Sequence, residues 1–382
     1  MDFSLTKDQE KLVEEVSFFA KKEVKPGTVE RDREEDFETL FKLLTGKMAE
    51  KGWMGLSYPL KYGGMGKGFQ ELVLLLTELA RVDVSLAASY SVCMTLGPYS
   101  IYKFGTEEQK EKFLPPLFKG LKISAFAMTE ENAGSDSAMQ ETLAVKEGNH
   151  YILNGRKIYI TNAGYADTYT VIAMTDKDKG NKGISAFIVE KGTPGFSFGK
   201  EYKKMGIRST VQRELIFQDC HVPAENLLGN EGDGFKIAMT TIDTGRLGVA
   251  CQALGASMGA YDIALSHSKE RVQFGKPVCS NQGVSFLLAD MAMKIETAKL
   301  ITQKAAWLLD LGLPYSKEVA MAKTLASDYA MEITTDAVQI LGGKGFLVES
   351  EAERFMRDVK ILQIYEGTNE IQRLVISSHI LR

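Results

Sequence analysis

The spacing of apolar residues changes twice along this chain of 382 residues. In the first third, apolar residues recur at the spacing of one helix face, for example in residues 12–20 and 37–48. From about residue 123 they alternate with polar residues, as in half-buried strands. From Gly234 the helical spacing returns in long stretches. Because a helical period does not suit a strand, nor a strand period a helix, the two changes divide the chain into three parts.

The order of these patterns predicts an α+β protein with three domains. We predict an N-terminal α-helical domain over residues 1–122 and a middle β-barrel-like domain over residues 123–233. Residues 234–382 carry several long apolar stripes at helical spacing, which predict a C-terminal four-helix bundle.

Local turn residues predict where some elements end. Asn154-Gly155 separates two β-rich runs, which predicts a hairpin with a type I′ turn. Pro115-Pro116 is predicted to close a helix, because proline cannot donate the backbone hydrogen bond that a helix interior needs. Residues 86–102 are predicted to form one helix.

Composition indicates an ordinary soluble globular protein. Hydrophobic residues make up 44% of the chain and charged residues 25%, which excludes a disordered or collagen-like protein. The net charge of -4 is spread without blocks of like charge, so we expect no nucleic-acid partner. The four cysteines are scattered without a CxxC pair, which fits reduced core thiols and predicts no metal site.

The first ten residues have the features of neither an export signal nor an organellar leader. They include acidic residues and lack an apolar core. No later stretch is apolar over the roughly 18 residues that a membrane helix needs. We therefore expect no membrane span and a cytoplasmic location.

One carboxylate near the C-terminus has an unusual setting. Glu366 follows several apolar residues and precedes Thr368, a good N-cap for the amphipathic helix that comes next. Partial burial among such neighbours would raise the pKa of the carboxyl group into a range useful for removing a weakly acidic proton. A Glu ahead of a helix is more often a solvated residue that complements the helix dipole, so these residues alone leave both interpretations open.

The hexapeptide around Glu366 resembles the catalytic segment of the acyl-CoA dehydrogenase family, and its sequence is Gln363-Ile364-Tyr365-Glu366-Gly367-Thr368. The resemblance extends over essentially the whole chain. In that family the Glu of a Tyr-Glu-Gly-Thr sequence removes the α-proton of an acyl-CoA thioester. The resemblance implies that Glu366 is the catalytic base, that its backbone N–H polarises the thioester carbonyl, and that the cofactor is FAD.

Two segments of the middle part are similar to flavin-contact sequences of the family. The resemblance implies that Met128 and Thr129 face the flavin pyrimidine and that Thr161 hydrogen-bonds near N5. Ser135 would also reach the pantetheine arm of the substrate. The FAD contacts implied here are Phe126, Met128, Thr129, Gly134, Ser135, Tyr159, Ile160 and Thr161.

The chain departs from the family pattern at three places. Glu131-Asn132 stands where the family usually has Pro-Gly. Tyr159 stands where it often has Trp, and Val211-Gln212 replaces the usual hydroxyl residues.

A second set of FAD contacts is implied in the C-terminal part. The planar fork of an arginine suits a pyrophosphate. In the family, the segment around such an arginine reaches the ADP half of an FAD bound mainly by a neighbouring subunit, which implies a homotetramer arranged as a dimer of dimers. The implied contacts are Arg271, Gln273, Phe274, Asn281, Gln282, Gln339, Gly342, Gly343, Thr368 and Glu370.

The implied substrate contacts lie close to the base. Asp243 and Arg246 would by themselves be an ordinary i, i+3 ion pair on a helix, but the family uses these positions beside the bound thioester. The full set implied is Ser135, Asp243, Arg246, Tyr365 and Gly367.

Residues 91–99 correspond to the helix that floors the acyl pocket of the family. The bulky side chains of Met94, Leu96 and Tyr99 predict a shallow pocket. We therefore expect a preference for short acyl groups of about four carbons, because a methylene that fits adds about 0.8 kcal/mol of binding and one that does not adds nothing.

The resemblance implies an FAD-dependent acyl-CoA dehydrogenase of fatty acid metabolism, most like the short-chain, butyryl-CoA branch. It would form 2-enoyl-CoA and pass electrons to an electron-transfer flavoprotein. One alternative is a reductase of acrylyl-, crotonyl- or aryl-acrylyl-CoA supplied by a bifurcating flavoprotein, since the same site serves both directions. A catalytically silent scaffold with this fold is a third interpretation.

Overall fold

The computed structural model describes residues 4–381, in which helical, strand and helical parts follow one another as predicted. The predicted α+β class, with helical terminal parts and a sheet between them, is confirmed. Residues 1–3 and 382, assigned by the sequence to the terminal domains, lie outside the described range. The predicted domain boundaries stay predictions; they fall between Phe118 and Ser124 and directly before Gly234.

The N-terminal part is built from short helices. Thr6 caps the first helix by accepting a hydrogen bond from the N–H of Gln9, whose side chain accepts from the Thr6 N–H in return. Short π-helical turns continue the first and third helices. In the described residues this part contains α1 (Lys7–Phe19), α2 (Thr28–Glu34), α3 (Phe37–Lys42), α4 (Phe69–Ala80), α5 (Val84–Thr95), α6 (Gly97–Phe104) and α7 (Glu107–Phe118).

The single helix predicted over residues 86–102 is wrong, because the chain breaks at Leu96 between α5 and α6. Pro98 cannot donate a hydrogen bond inside a helix but suits the first turn of a new one. Gly97 lies so close to the strand beneath that a Cβ would meet the Oγ of Ser124 at 2.5 Å. The break brings Leu96 to the cleft described below.

Pro115-Pro116 lie at the end of α7, as predicted. The helix continues through both prolines to Phe118. They fall in its last turn, so few intrahelical bonds are lost, and backbone N–H groups beyond the helix donate to their carbonyls.

Eight strands of the middle part form one sheet in the order β6-β7-β3-β2-β4-β5-β8, with β1 pairing in parallel with β4. Strand β4 is buried along its whole length. Among the described residues the outer strands β6 and β8 do not pair with each other, so the sheet is open. The strands are β1 (Ser124–Ala127), β2 (Leu143–Glu147), β3 (His150–Thr161), β4 (Thr168–Met174), β5 (Ile184–Glu190), β6 (Phe196–Glu201), β7 (Gln212–Pro223) and β8 (Leu227–Leu228).

The predicted hairpin at Asn154-Gly155 is wrong, because β3 continues through these residues and bulges against β7. The Asn154 side chain pairs with Asp219 of β7: its Oδ1 accepts from the Asp219 N–H at 2.8 Å and its Nδ2 donates to Asp219 Oδ1 at 3.1 Å. A Cβ at Gly155 would lie 2.6 Å from the Cα of Thr142. The chain turns at Gly148 instead, between β2 and β3.

The C-terminal part is a helical bundle around one long central helix. The predicted four helices correspond to α8, α9, α10 and α12, and the short α11 is additional. Helix α8 packs on α9 and α10 and also on α4 and α5, which joins the bundle to the N-terminal part. The helices are α8 (Gly234–Glu270), α9 (Gln282–Asp310), α10 (Ser316–Leu341), α11 (Ala352–Val359) and α12 (Asn369–Ile380). In the described residues, no helix is both long and apolar enough to cross a membrane.

A buried ion pair ties the loop after β1 to β3. Lys157 is fully buried, and its Nζ donates to Glu130 Oε1 at 2.5 Å, to Gln140 Oε1 at 2.5 Å and to the carbonyl of Met128 at 3.1 Å. Glu130 also accepts two backbone N–H groups that lie just before β2. The pair therefore holds the Met128 segment against β3.

We predict that Lys157→Met lowers the free energy of unfolding by about 3–5 kcal/mol, because the Glu130 carboxylate is left buried without its cation. The measurement is the midpoint of thermal unfolding. Lys61→Met is the matched control, since Lys61 forms an exposed ion pair with Glu107, and such pairs contribute only about 0–1 kcal/mol. Equal midpoints for the two variants would contradict the prediction.

Candidate active site

A cleft of about 710 Å³ is lined by residues from all three parts of the chain. Small-molecule sites are typically about 300–1,000 Å³. The sequence-predicted site residues that meet in its wall are Phe126, Met128, Thr129, Gly134, Ser135, Tyr159, Ile160, Thr161, Arg246, Tyr365, Glu366, Gly367 and Thr368.

The backbone at Glu366 and Gly367 makes a left-handed turn, with φ angles of 54° and 88°. A non-glycine residue adopts such a φ only when its surroundings enforce it. The Glu366 carbonyl accepts hydrogen bonds from Arg246 Nε and Gln372 Nε2, both at 3.1 Å. The Gly367 carbonyl accepts from Gln372 Nε2 at 2.9 Å and from Lys323 Nζ at 2.8 Å. All three donors are buried, so the turn is fixed from the side of the bundle.

The Glu366 carboxyl group lies in the wall of the cleft rather than on the outer surface. Burial raises its pKa to about 7, and the nearby cations of Arg246 and Lys323 limit the rise. Space for the carboxyl depends on Gly245 of α8, where a Cβ would lie 2.8 Å from Glu366 Oε2 and 2.7 Å from Leu96 Cδ2. A carboxyl group with this pKa can accept a proton near neutral pH.

Asp243 and Arg246 form the i, i+3 ion pair expected from the sequence, with 2.6 Å between Asp243 Oδ1 and Arg246 Nη1. Arg246 reaches the cleft, whereas Asp243 is not part of its wall and contacts the site through Arg246. Among residues 4–381, no three His, Cys, Asp or Glu side chains are grouped to hold a metal ion.

The wall that the middle part contributes suits a flat, heteroatom-rich ring system. Tyr159 has φ of 60° where the β3–β7 pairing is irregular, and its ring is 59% exposed. The Thr161 hydroxyl accepts from Gln212 Nε2 at 3.2 Å. The hydroxyls of Thr129 and Ser135 have no hydrogen-bond partner within residues 4–381 and line the cleft. An exposed ring and free hydroxyls on one wall fit the predicted flavin.

The second set of predicted FAD contacts, apart from Thr368, lies outside this cleft. Phe274 is 99% exposed, in the turn between the short strands Val272–Gln273 and Lys276–Pro277 that follow α8. Lys344, in the turn after α10, lies near His267 of α8; burial first, and then the charges of Lys344 and Arg271, lower the pKa of His267. Residues not brought to the cleft are Arg271, Gln273, Phe274, Asn281, Gln282, Gln339, Gly342, Gly343 and Glu370.

Two of the three donors that fix the turn, Lys323 and Gln372, were not predicted from the sequence. Lys323 lies on the apolar stripe of α10, four residues after Val319 and three before Ala326, and a cation in such a stripe was a usable signal. No comparable sequence signal marks Gln372.

The predicted floor of the acyl pocket is only partly in the cleft wall. Of its three bulky residues, Leu96 lines the cleft, whereas Met94 and Tyr99 are buried and do not line it.

Comparison with known proteins identifies the family. Residues 6–121 match the N-terminal domain of acyl-CoA dehydrogenases, residues 125–220 the middle domain and residues 232–381 the C-terminal domain. The chain is 49% identical to the short-chain specific acyl-CoA dehydrogenase of Clostridium acetobutylicum, over the full length of both.

Two solved structures superpose on the whole chain. Butyryl-CoA dehydrogenase from Megasphaera elsdenii has a TM-score of 0.97 and 49% identity, with 100% of both chains covered. A chain in the structure of the electron-transferring flavoprotein of Acidaminococcus fermentans, a study towards a mechanism of flavin-based electron bifurcation, has a TM-score of 0.97 and 51% identity, again over 100% of both chains. The chain belongs to the acyl-CoA dehydrogenase family, FAD-dependent oxidoreductases that act on the CH–CH group of an acyl-CoA.

Proposed function

We propose that Glu366 is the base that removes the α-proton of a short-chain acyl-CoA in the cleft. The observation that carries the proposal is its carboxyl group, held in the cleft wall by the left-handed turn, with a pKa that burial raises to about 7. The proton moves to a Glu366 oxygen, the electron pair of that bond forms the Cα=Cβ double bond, and a hydride leaves the β-carbon. Bound FAD supplies the acceptor for the hydride.

The same turn provides a donor for the thioester carbonyl. The Glu366 carbonyl is bonded on the bundle side, whereas its N–H has no partner within residues 4–381. A free N–H beside the base can stabilise the charge that develops on the thioester oxygen as the α-proton leaves. Arg246 contributes by holding the Glu366 carbonyl rather than by taking a proton.

The residues that would hold FAD belong to two separate groups. We assign the flavin to the wall formed by Met128, Thr129, Tyr159 and Thr161, because its ring and hydroxyls face the cleft. We assign the exposed group around Phe274 to the ADP half of an FAD held by another subunit. An FAD shared between subunits in this way supports a homotetramer built as a dimer of dimers. Residues of the first and second groups would then complete each other's sites across an interface.

An electron-transfer flavoprotein is the proposed redox partner, in the cytoplasm. The support is the 51% identity to a chain in the structure of the Acidaminococcus fermentans electron-transferring flavoprotein. Because that work concerns electron bifurcation, the same observation favours a second candidate function, reduction of a 2-enoyl-CoA. The reaction would then proceed in the opposite direction, with Glu366 protonating the α-carbon. The redox potential of the electron-transfer flavoprotein would set the direction.

We predict that Glu366→Gln keeps the fold and bound FAD, while flavin reduction by butyryl-CoA slows by about 10²- to 10⁴-fold. Gln has a similar volume but cannot accept the proton, and a general base typically supplies about 10²- to 10⁴-fold. Stopped-flow absorbance of the flavin measures the step directly. The control is Glu14→Gln on the exposed face of α1. A rate within about tenfold of the parent would exclude Glu366 as the base.

We predict that Leu96→Ala shifts the preference of the enzyme from four-carbon towards longer acyl groups. Leu96 lies in the cleft wall close to Glu366, and its removal opens space where further methylenes can bind. Each methylene that fits adds about 0.8 kcal/mol, which is roughly fourfold in kcat/KM. The measurement is kcat/KM over a series of acyl-CoA chain lengths. Identical profiles for parent and variant would place the end of the pocket elsewhere.

A further inference from the structure

Lys323 is a buried cation for which the proposed reaction has no use. It lies on α10, is fully buried, and donates from Nζ to the Gly367 carbonyl at 2.8 Å and to Asn369 Oδ1 at 2.7 Å. Within residues 4–381 it forms no ion pair with a carboxylate. A buried ammonium group without a carboxylate partner is costly, so its position between two neutral acceptors needs a reason.

The acceptors of Lys323 are the two ends of one short segment. Gly367 belongs to the left-handed turn, and Asn369 is the first residue of α12. Asn369 is itself fixed to α10, since its Nδ2 donates to Ser327 Oγ at 2.9 Å and to Asp328 Oδ1 at 2.7 Å. Lys323 therefore clamps both the turn and the start of α12 onto α10.

The clamp acts on the backbone that aims the base. The direction of the Glu366 side chain depends on its left-handed φ, which no ordinary preference of a glutamate supports. Arg246 and Gln372 donate to the Glu366 carbonyl. Lys323 and Gln372 donate to the Gly367 carbonyl. Without Lys323 the Gly367 carbonyl loses its cationic donor and the turn is free to relax.

The charge of Lys323 also acts on the base. The groups that face Lys323 are Arg246 from α8, Asp328 from α10, Glu370 from α12 and Glu366 itself; burial first, then Arg246, lowers the pKa of Lys323 to about 7. In its protonated form Lys323 favours the ionised Glu366 and so lowers the pKa of that carboxyl group. Loss of the Lys323 cation therefore raises the pKa of the Glu366 carboxyl group.

We propose that Lys323 is a positioning residue for Glu366, fixing the left-handed turn through the Gly367 carbonyl and favouring the carboxylate form of the base by its charge. This inference rests on the proposed role of Glu366. Lys323 touches neither the reacting atoms nor the cleft, so its effect is exerted through the turn.

The test is flavin reduction by butyryl-CoA, followed across pH in the FAD-loaded enzyme, for Lys323→Met and for the control Lys304→Met. Lys304 is a half-exposed lysine that pairs with Glu318 elsewhere in the bundle. For Lys323→Met we expect the limiting rate to fall roughly 10- to 100-fold, as for a misplaced catalytic group. The half-saturating butyryl-CoA concentration should stay within about threefold, and the acid limb of the rate profile should move to higher pH by about one unit.

If Lys323→Met does not fold, Lys323→Gln takes its place in the test. The glutamine side chain keeps an N–H donor group but carries no charge. The acid limb of its rate profile should therefore also lie at higher pH than that of the parent. An acid limb at the position of the parent, in a variant that is folded and yellow, overturns the inference, whether or not the rate has fallen. Glu366→Gln in the same assay separates the two claims. If that variant is slow while the Lys323 variants behave as the parent, only the role of Lys323 fails; if Glu366→Gln is as fast as the parent, the proposed base fails.

Discussion

The left-handed turn at Glu366 and Gly367 is the constraint on which the candidate site depends. A carboxylate placed before a helix would by default point to water and complement the helix dipole. Here two successive carbonyls are drawn into the bundle by buried donors from α8, α10 and α12, and the peptide is turned so that the Glu366 side chain enters the cleft. The base is therefore placed by the packing of three helices rather than by its own loop.

In each of two walls of the cleft, a buried lysine donates to a backbone carbonyl. On the sheet side, buried Lys157 donates to the carbonyl of Met128 in the predicted flavin segment. On the bundle side, buried Lys323 donates to the carbonyl of Gly367 next to the base. In each case a buried ammonium group holds a backbone carbonyl away from the cleft, so the loop keeps one conformation while its other groups face the ligand. Preorganised loops of this kind avoid the cost of ordering when substrate binds.

Periodicity was enough to predict the fold class and most long elements, because an apolar stripe is a local signal; the stripe of α10, for example, is buried at Val319, Ala326 and Ala330. Features that depend on distant partners were not predictable. Asn154-Gly155 has the composition of a turn, but Asp219 on the neighbouring strand pairs with it and converts it into a bulge. Glu366 could be selected as a base from its motif, whereas its left-handed backbone depends on residues spread over more than a hundred positions.

The proposed chemistry depends on burial in the cleft, which raises the pKa of Glu366 to about 7. Infrared difference spectra across pH, parent minus Glu366→Gln, measure it directly through the C=O band of the protonated acid. The subtraction is needed because burial also raises the pKa of Asp358 to about 7. We expect a band present at low pH that disappears with a midpoint of about 7. A midpoint near the ordinary glutamate pKa of about 4.3 would show a solvated carboxylate and exclude the buried base.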